Sequence, residues 1–265
     1  MDANGNGQFI RQFASLCAGE KLSEDNIRLG NADRTTIIPP LKSEEEMHHF
    51  ELYRSSSSLG SPRGEWPPPP SKGLWKTFRF TQSKISVLKN RASMLCSPES
   101  NPPYISSNDA ISTFIWSRIA AVRSAWLPKD SITQIIRAVD GRRRLDPPIP
   151  EGYMGHVILC CYTALPLSEV VNGDLSSSTM KVRRSLMGVD DKQVRSFFEL
   201  LKEKKDKSTI NYGAKMNGSS DIMITSFVAQ KLYEESFGVL GRPVRDLKAG
   251  KEYPHRFGIN FCDRC

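Results

Sequence analysis

Apolar residues recur every three to four positions near the start of the chain, where Phe9, Phe13 and Leu16 are flanked by Ile10, Ala14 and Cys17. That spacing predicts an amphipathic helix. Asp2-Ala3-Asn4-Gly5 reads as the turn that leads into it. From residue 20 to residue 73 no period survives, and Glu44-Glu45-Glu46, Ser55 to Ser58 and Pro67 to Pro70 describe a long surface connection or linker. Leu74, Lys76, Phe78 and Phe80 then follow a two-residue alternation, a short strand. Gln82 to Leu95 reads as a helix capped by Thr81 or Ser83. Pro102-Pro103 marks a break, after which Ser106-Ser107-Asn108-Asp109 supplies capping residues for a helix over Asn108 to Arg123. Its stripe is Ile111, Phe114, Ile115, Ile119 and Val122.

A second block of pattern begins at Ile135, Ile136, Ala138 and Val139, a buried strand that runs out into Asp140-Gly141-Arg142-Arg143-Arg144 and a Pro147-Pro148 turn. If the backbone stays extended there, Arg142 and Arg144 point the same way. A guanidinium taken out of water needs a carboxylate or phosphate partner, whereas a solvated basic turn needs none. Val157 to Thr163 is continuously apolar and suits a strand covered on both faces, with His156 as the turn residue before it. Leu165 to Val171 and Met180 to Leu201 read as helices separated by a Gly/Ser loop, the second burying Leu186, Val194, Phe197, Phe198 and Leu201. Ile222 and Ile224 alternate with Met223 and Thr225, a strand. Gly238 and Gly241 bracket Val239-Leu240 in a tight loop.

Length and charge narrow the classes. The 265 residues can form one large or two small domains, and 38% hydrophobic with 25% charged residues is a globular composition. The net charge of +8 would suit nucleic acid, an anionic membrane or a polyphosphate-bearing ligand. Yet the densest basic run, 202–207, is interrupted by acids and has no aromatic ladder beside it, which weighs against nucleic acid. No apolar stretch approaches the roughly 18 to 20 residues of a membrane-spanning helix, so a soluble, cytoplasmic protein without membrane attachment is expected. The cysteines at 17, 96, 160, 161, 262 and 265 form no spaced framework, and Cys262-x-x-Cys265 has no second pair. Reduced thiols and no bound metal follow. His48-His49 could shuttle protons. Neither histidine begins a His-x-x-x-Asp motif, since Leu52 and Tyr53 stand four residues on, and a surface helix turn is the plainer reading.

Asp140-Gly141-Arg142-Arg143-Arg144, followed by Pro147-Pro148-Ile149-Pro150-Glu151-Gly152-Tyr153-Met154-Gly155, resembles the Asp-x-Arg-x-Arg and Pro-Pro-x-Pro-x-Gly-Tyr-x-Gly segment of the HxxxD-type acyl-CoA-dependent acyltransferases. That is the BAHD superfamily, with its fungal trichothecene 3-O-acetyltransferase-like members. Further motifs occur in the family's order: the Ser-x-Asn-Asp start of the Asn108 to Arg123 helix with Trp116 in its aromatic-Ile-Trp run, Thr225-Ser226-Phe227 after a strand, and Ser236-Phe237-Gly238 with Gly241 and Pro243. Ser236 stands where the family carries Asp.

The resemblance implies an α+β fold of the chloramphenicol-acetyltransferase-like kind, a mixed sheet with flanking helices forming an incomplete two-domain arrangement. Residues 1–73 would be a remnant of the N-terminal domain plus linker, 74–245 the C-terminal acyltransferase-like domain, and 246–265 a divergent tail. Asp2 would be the Asp of the HxxxD motif, whose histidine would fall four residues earlier, outside this sequence, so that the chain reads as truncated within the motif. In the family that histidine deprotonates an acceptor hydroxyl, which attacks the thioester of acyl-CoA.

The resemblance further implies Thr225 as the oxyanion-stabilising hydroxyl and Thr225 with Ser226 as cofactor contacts. Asp140, Arg142, Arg144, Ser236, Phe237, Gly238 and Gly241 would be structural. Because the family's Asp at position 236 is expected to pair with an arginine of the Asp-x-Arg-x-Arg loop, Arg142 or Arg144 should lack a carboxylate here unless Glu234 or Glu235 substitutes. The implied function is acyl transfer from acyl-CoA to a hydroxyl or amine of a small specialised metabolite by a monomer, with acyl-CoA as co-substrate and no tightly bound cofactor. The alternative is a non-catalytic CoA- or protein-binding remnant.

Overall fold

The computed structural model describes residues 2–24, 37–38, 78–203, 220–228 and 235–241. Residues 25–36 and 39–73 of the linker region, the His48-His49 pair, Leu74 and Lys76 of the expected strand, Glu234 and the residues after Gly241 lie outside them, while Ile38 is buried in the core. Helix α1 spans Ala3–Cys17, α2 Gln82–Ala92 and α3 Ser107–Arg123. Strand β1 (Ile132–Asp140) and β2 (Ile158–Pro166) follow, then α4 (Leu167–Asn172), α5 (Leu175–Met187), α6 (Asp191–Glu203) and the short β3 (Ile222–Ile224).

β1 is the central strand of a mixed three-stranded sheet ordered β2-β1-β3. It pairs antiparallel with β2 along its whole length, Ile132 opposite Pro166 through Asp140 opposite Ile158, and parallel with β3 from Ile135 opposite Ile222. Five consecutive residues of β1, Thr133 to Arg137, are buried, as a strand flanked on both edges requires. β2 behaves differently from the expectation of two covered faces. Leu159, Cys161, Thr163 and Leu165 are buried, whereas Ile158, Cys160 and Tyr162 between them are only half-buried. The apolar run reads as continuous because its outer positions are also apolar.

The buried face of the sheet carries the helices. Val139, Leu159 and Cys161 pack with Val194, Phe197 and Phe198 of α6, and further along the same face Ile135 and Leu165 pack with Trp116 of α3 and Val182 of α5. A third cluster joins Ile85, Leu88 and Ala92 of α2 to Ile111 and Ile115 of α3. β3 is pinned by polar groups as well. Asp221 accepts from the Gln134 backbone N–H at 3.0 Å and from Gln134 Nε2 at 2.7 Å, and Thr133 receives Trp116 Nε1 at 3.0 Å while donating to the Ser220 carbonyl.

The elements differ from the pattern reading at five points. Phe78 to Phe80 is irregular rather than strand, and α2 ends at Ala92. β2 continues through Pro166, so α4 starts only at Leu167. The long helix over Met180 to Leu201 is two helices, because the chain turns at Gly188-Val189-Asp190 and Asp190 Oδ1 accepts from Gln193 N–H at 2.9 Å to start α6. α5 in turn begins within the supposed Gly/Ser loop, capped by Asp174 on the Ser177 N–H at 3.0 Å.

Candidate functional site

Asp2 caps α1, its Oδ1 accepting from the Gly5 N–H at 2.8 Å. The same carboxylate receives a bidentate guanidinium, Arg142 Nη2 on Oδ1 at 3.0 Å and Nη1 on Oδ2 at 2.9 Å, and the Val157 N–H on Oδ2 at 2.9 Å. Each oxygen thus accepts two hydrogen bonds, which is its ordinary capacity. Both side chains are buried.

The arginine is held from the other side too. Asp140 Oδ1 accepts from Arg142 N–H and from Nη1, each at 3.0 Å, and the Gly155 carbonyl accepts from Nη2 at 2.6 Å. Asn4 Nδ2 donates to Asp140 Oδ2 at 2.8 Å, closing a ring between the first turn of α1 and the loop joining β1 to β2. Burial alone would push the Asp2 carboxyl up. Hydrogen bonds from Arg142, Gly5 and Val157 together with the Arg142 charge outweigh it and hold the carboxyl below its ordinary value.

The loop is shaped by small residues. The Arg144 N–H donates to the Gly141 carbonyl at 3.0 Å, so the backbone turns instead of staying extended. Arg142 and Arg144 therefore diverge. Arg144 reaches the Val189 carbonyl at 3.2 Å, ahead of α6, and the exposed Arg143 lies only 4.0 Å from exposed Glu151. At Gly155 a Cβ would stand 2.1 Å from the Tyr153 hydroxyl, which explains why the buried tyrosine is followed two residues on by glycine.

Arg142 is accordingly not left without a carboxylate by the serine at position 236, and no Glu234 or Glu235 substitute is needed. Ser236 is exposed, and the Phe237–Gly241 loop sits against the far end of α1, where a Cβ on Gly238 would meet the Cys17 carbonyl at 2.8 Å. A helix of 15 residues separates that end from Asp2, roughly 20 Å at the usual rise. Gly238 and Gly241 both have positive φ, 62° and 76°, which ties them to the turn. Thr225 and Ser226 are exposed immediately after β3.

A second buried charge centre lies at the start of α3. Asp109, within a capping box with Ser106, accepts Arg137 Nη1 at 2.6 Å and Arg183 Nη1 at 3.4 Å. Arg183 also lies over the Tyr104 ring at 4.2 Å. A lone arginine inside the apolar run of β1 was the sequence cue, since arginine is rarely buried unpaired. Among the described residues no group of three or more His, Cys, Asp or Glu could hold a metal, and no helix is long and apolar enough to cross a membrane.

The family model described as Transferase family matches residues 1–254, and the chain belongs to that family, the BAHD-type acyltransferases. The O-acyltransferase pigD of Monascus ruber is 34% identical over 246 residues, covering 91% of this chain and 53% of the relative. The trichothecene 3-O-acetyltransferase of Fusarium sporotrichioides is 29% identical over 248 residues, 92% of this chain and 52% of the relative. The crystal structure of F. graminearum TRI101 complexed with coenzyme A and deoxynivalenol matches with a TM-score of 0.76 at 26% identity, covering 92% of this chain and 53% of that one. The chain spans about half the length of the curated relatives it matches.

Proposed function

We propose that this chain supplies part of an acyl-CoA-dependent O-acyltransferase that transfers an acyl group from acyl-CoA to a hydroxyl of a small specialised metabolite. The observation that carries the reading is the Asp2–Arg142 clamp. A carboxylate that already accepts four hydrogen bonds, and is held below its ordinary pKa, has neither a free acceptor site nor the basicity to take a proton. Its work is positional. It fixes the backbone entering α1, and a base four residues earlier would be anchored through it.

In that chemistry the base takes the proton of the acceptor hydroxyl, whose oxygen bonds to the thioester carbonyl carbon. The tetrahedral intermediate then breaks its C–S bond, and the thiolate leaves with the proton returned by the base. Thr225 is proposed as the hydroxyl donor to the oxyanion, and Thr225 with Ser226 as contacts for coenzyme A. Family membership and the coenzyme A complexes of similar structures support acyl-CoA as co-substrate. The same reading takes the protein as monomeric and cytoplasmic, and residues 74–245 as the C-terminal acyltransferase-like domain.

The test is CoA release from acetyl-CoA, followed by thiol titration, for a form extended upstream to include the residue four before Asp2. Hydroxylated acceptors including deoxynivalenol serve as probes. Acceptor-dependent release, absent from the 265-residue chain and lost when that upstream residue is replaced by alanine, is the expected result. A folded extended form that releases no CoA with any acceptor would refute the proposal.

A further inference from the structure

Strand β3 leads directly into Thr225 and Ser226, yet it makes only three residue pairs with β1, Ile135 to Arg137 against Ile222 to Ile224. A slip of one residue in such a strand turns every side chain to the other face, so something must fix the register. The apolar pattern does so weakly. Ile222 and Ile224 are 2% and 9% exposed and face α3, but Met223 between them, 39% exposed, is apolar too.

Asp221 supplies what the pattern lacks. It lies one step before the first pair, as Gln134 does on β1, and its carboxylate takes two donors of that one residue. The Gln134 backbone N–H reaches Oδ1 at 3.0 Å and Nε2 reaches Oδ2 at 2.7 Å. Ser220 Oγ adds a bond to Oδ1 at 2.9 Å, and both Gln134 and Asp221 are buried. The backbone is gripped at the same place, with Arg123 Nη1 at the end of α3 donating to the Asp221 carbonyl at 2.9 Å and Thr133 Oγ1 donating to the Ser220 carbonyl. The neighbours of Gln134 are Thr133 and Ile135, and neither carries a side-chain amide. A one-residue slip would therefore take the buried carboxylate away from its donors, which is costly.

We infer that Asp221 is a positioning residue of the transfer site, whose two-point grip on Gln134 sets the register of β3 and so presents Thr225 at the first exposed place beyond the strand. Thr225 shares a face with Met223 in the alternation of an extended chain, and both are exposed. A slip of one residue would bring Ile224 or Ser226 to that place and turn Thr225 toward the helices. The functional weight of the register rests on the reading of Thr225 as the oxyanion donor, whereas the register itself is read without turnover.

The experiment places single cysteines by Met223→Cys and Ile224→Cys in the 265-residue chain, alkylates them with iodoacetamide under native conditions, and follows each site by peptide mass spectrometry apart from the native thiols. With Asp221 in place, position 223 is expected to react at least tenfold faster than 224. Adding Asp221→Ala should slow position 223 at least twofold while position 224 becomes faster. A general loss of stability can only speed both sites, so protection gained at 223 is the mark of a changed register. Gln134→Leu removes one of the two donors, is expected to act in the same direction, and serves where the alanine variant does not fold. Labelling at 223 that is unchanged or faster in a folded variant would overturn the inference. Full CoA release by a Thr225→Ala variant of the extended form would instead refute Thr225 as the oxyanion donor and leave Asp221 as the residue that sets the register.

Discussion

Gly155 has no room for a methyl group, because the Tyr153 hydroxyl occupies the place a Cβ would take and the Gly155 carbonyl is tied to Arg142. Gly155→Ala should force the buried tyrosine aside and destabilise the chain by about 1 to 3 kcal/mol, read as a lower urea midpoint at unchanged slope; no change in midpoint would mean that the ring moves freely. The requirement for glycine was visible in the sequence as a motif, but its cause was not, since it depends on a contact between a side chain and a backbone position two residues apart. The sequence left open which of Arg142 and Arg144 would lack a carboxylate, and the structure pairs Arg142 with Asp2 while Arg144 reaches the Val189 carbonyl. Spacing shows that a buried guanidinium needs a carboxylate, yet it cannot say which acid, and the true one lies 140 positions away at the start of α1. Asp140 stood in the Asp-x-Arg-x-Arg motif, whereas Asn4 and Val157 complete the site through groups that no spacing marks.

Among the elements, α3 was the most legible, because its capping residues and its stripe agree on one boundary. Ser106 accepts from the Asp109 N–H at 3.1 Å and donates to Asp109 Oδ2 at 2.6 Å, while Asp109 also faces Arg137. Ser106→Ala removes a cap and one of the groups holding a fully buried carboxylate. The expected loss is about 1 to 2 kcal/mol, at the upper end of ordinary cap deletions, measured by thermal unfolding against Thr81→Ala, the more exposed cap of α2. An equal loss at the two caps would argue that the charge cluster adds nothing. The break between α5 and α6 was missed because the apolar period resumes almost in phase after Gly188, and the cap at Asp190 was read through. β3 was found, but its length is set by the polar pin at Ser220-Asp221 and by the three residue pairs it makes with β1, which are long-range facts.

At the scale of the whole molecule, two buried carboxylates join parts of the chain that are far apart. Asp109 links α3 to β1 and α5, and Asp2 links α1 to the β1–β2 loop. For Asp109, burial raises the pKa, and the Arg137 charge with hydrogen bonds from Ser106 and Arg137 more than reverses it; both groups therefore sit below the ordinary 3.8. A depressed folded pKa contributes stability that is present above the unfolded value and is lost as pH falls through the folded one. The urea midpoint should accordingly stay level from pH 7 to about pH 5 and fall below about pH 4, and Asp2→Asn should flatten part of that fall. A midpoint that declines already between pH 7 and 6 would point to other groups. The central claim is that Asp2 is a structural clamp on Arg142, and a double-mutant cycle tests it most directly. Arg142→Met is expected to cost about 3 to 5 kcal/mol, because it strands the buried Asp2 charge, and Asp2→Asn less, because Asp140 still accepts from Arg142. The double variant should cost clearly less than their sum, with a coupling of at least about 1 kcal/mol in equilibrium unfolding. Additive losses would contradict the account, for they would mean that the two groups meet in space without depending on one another.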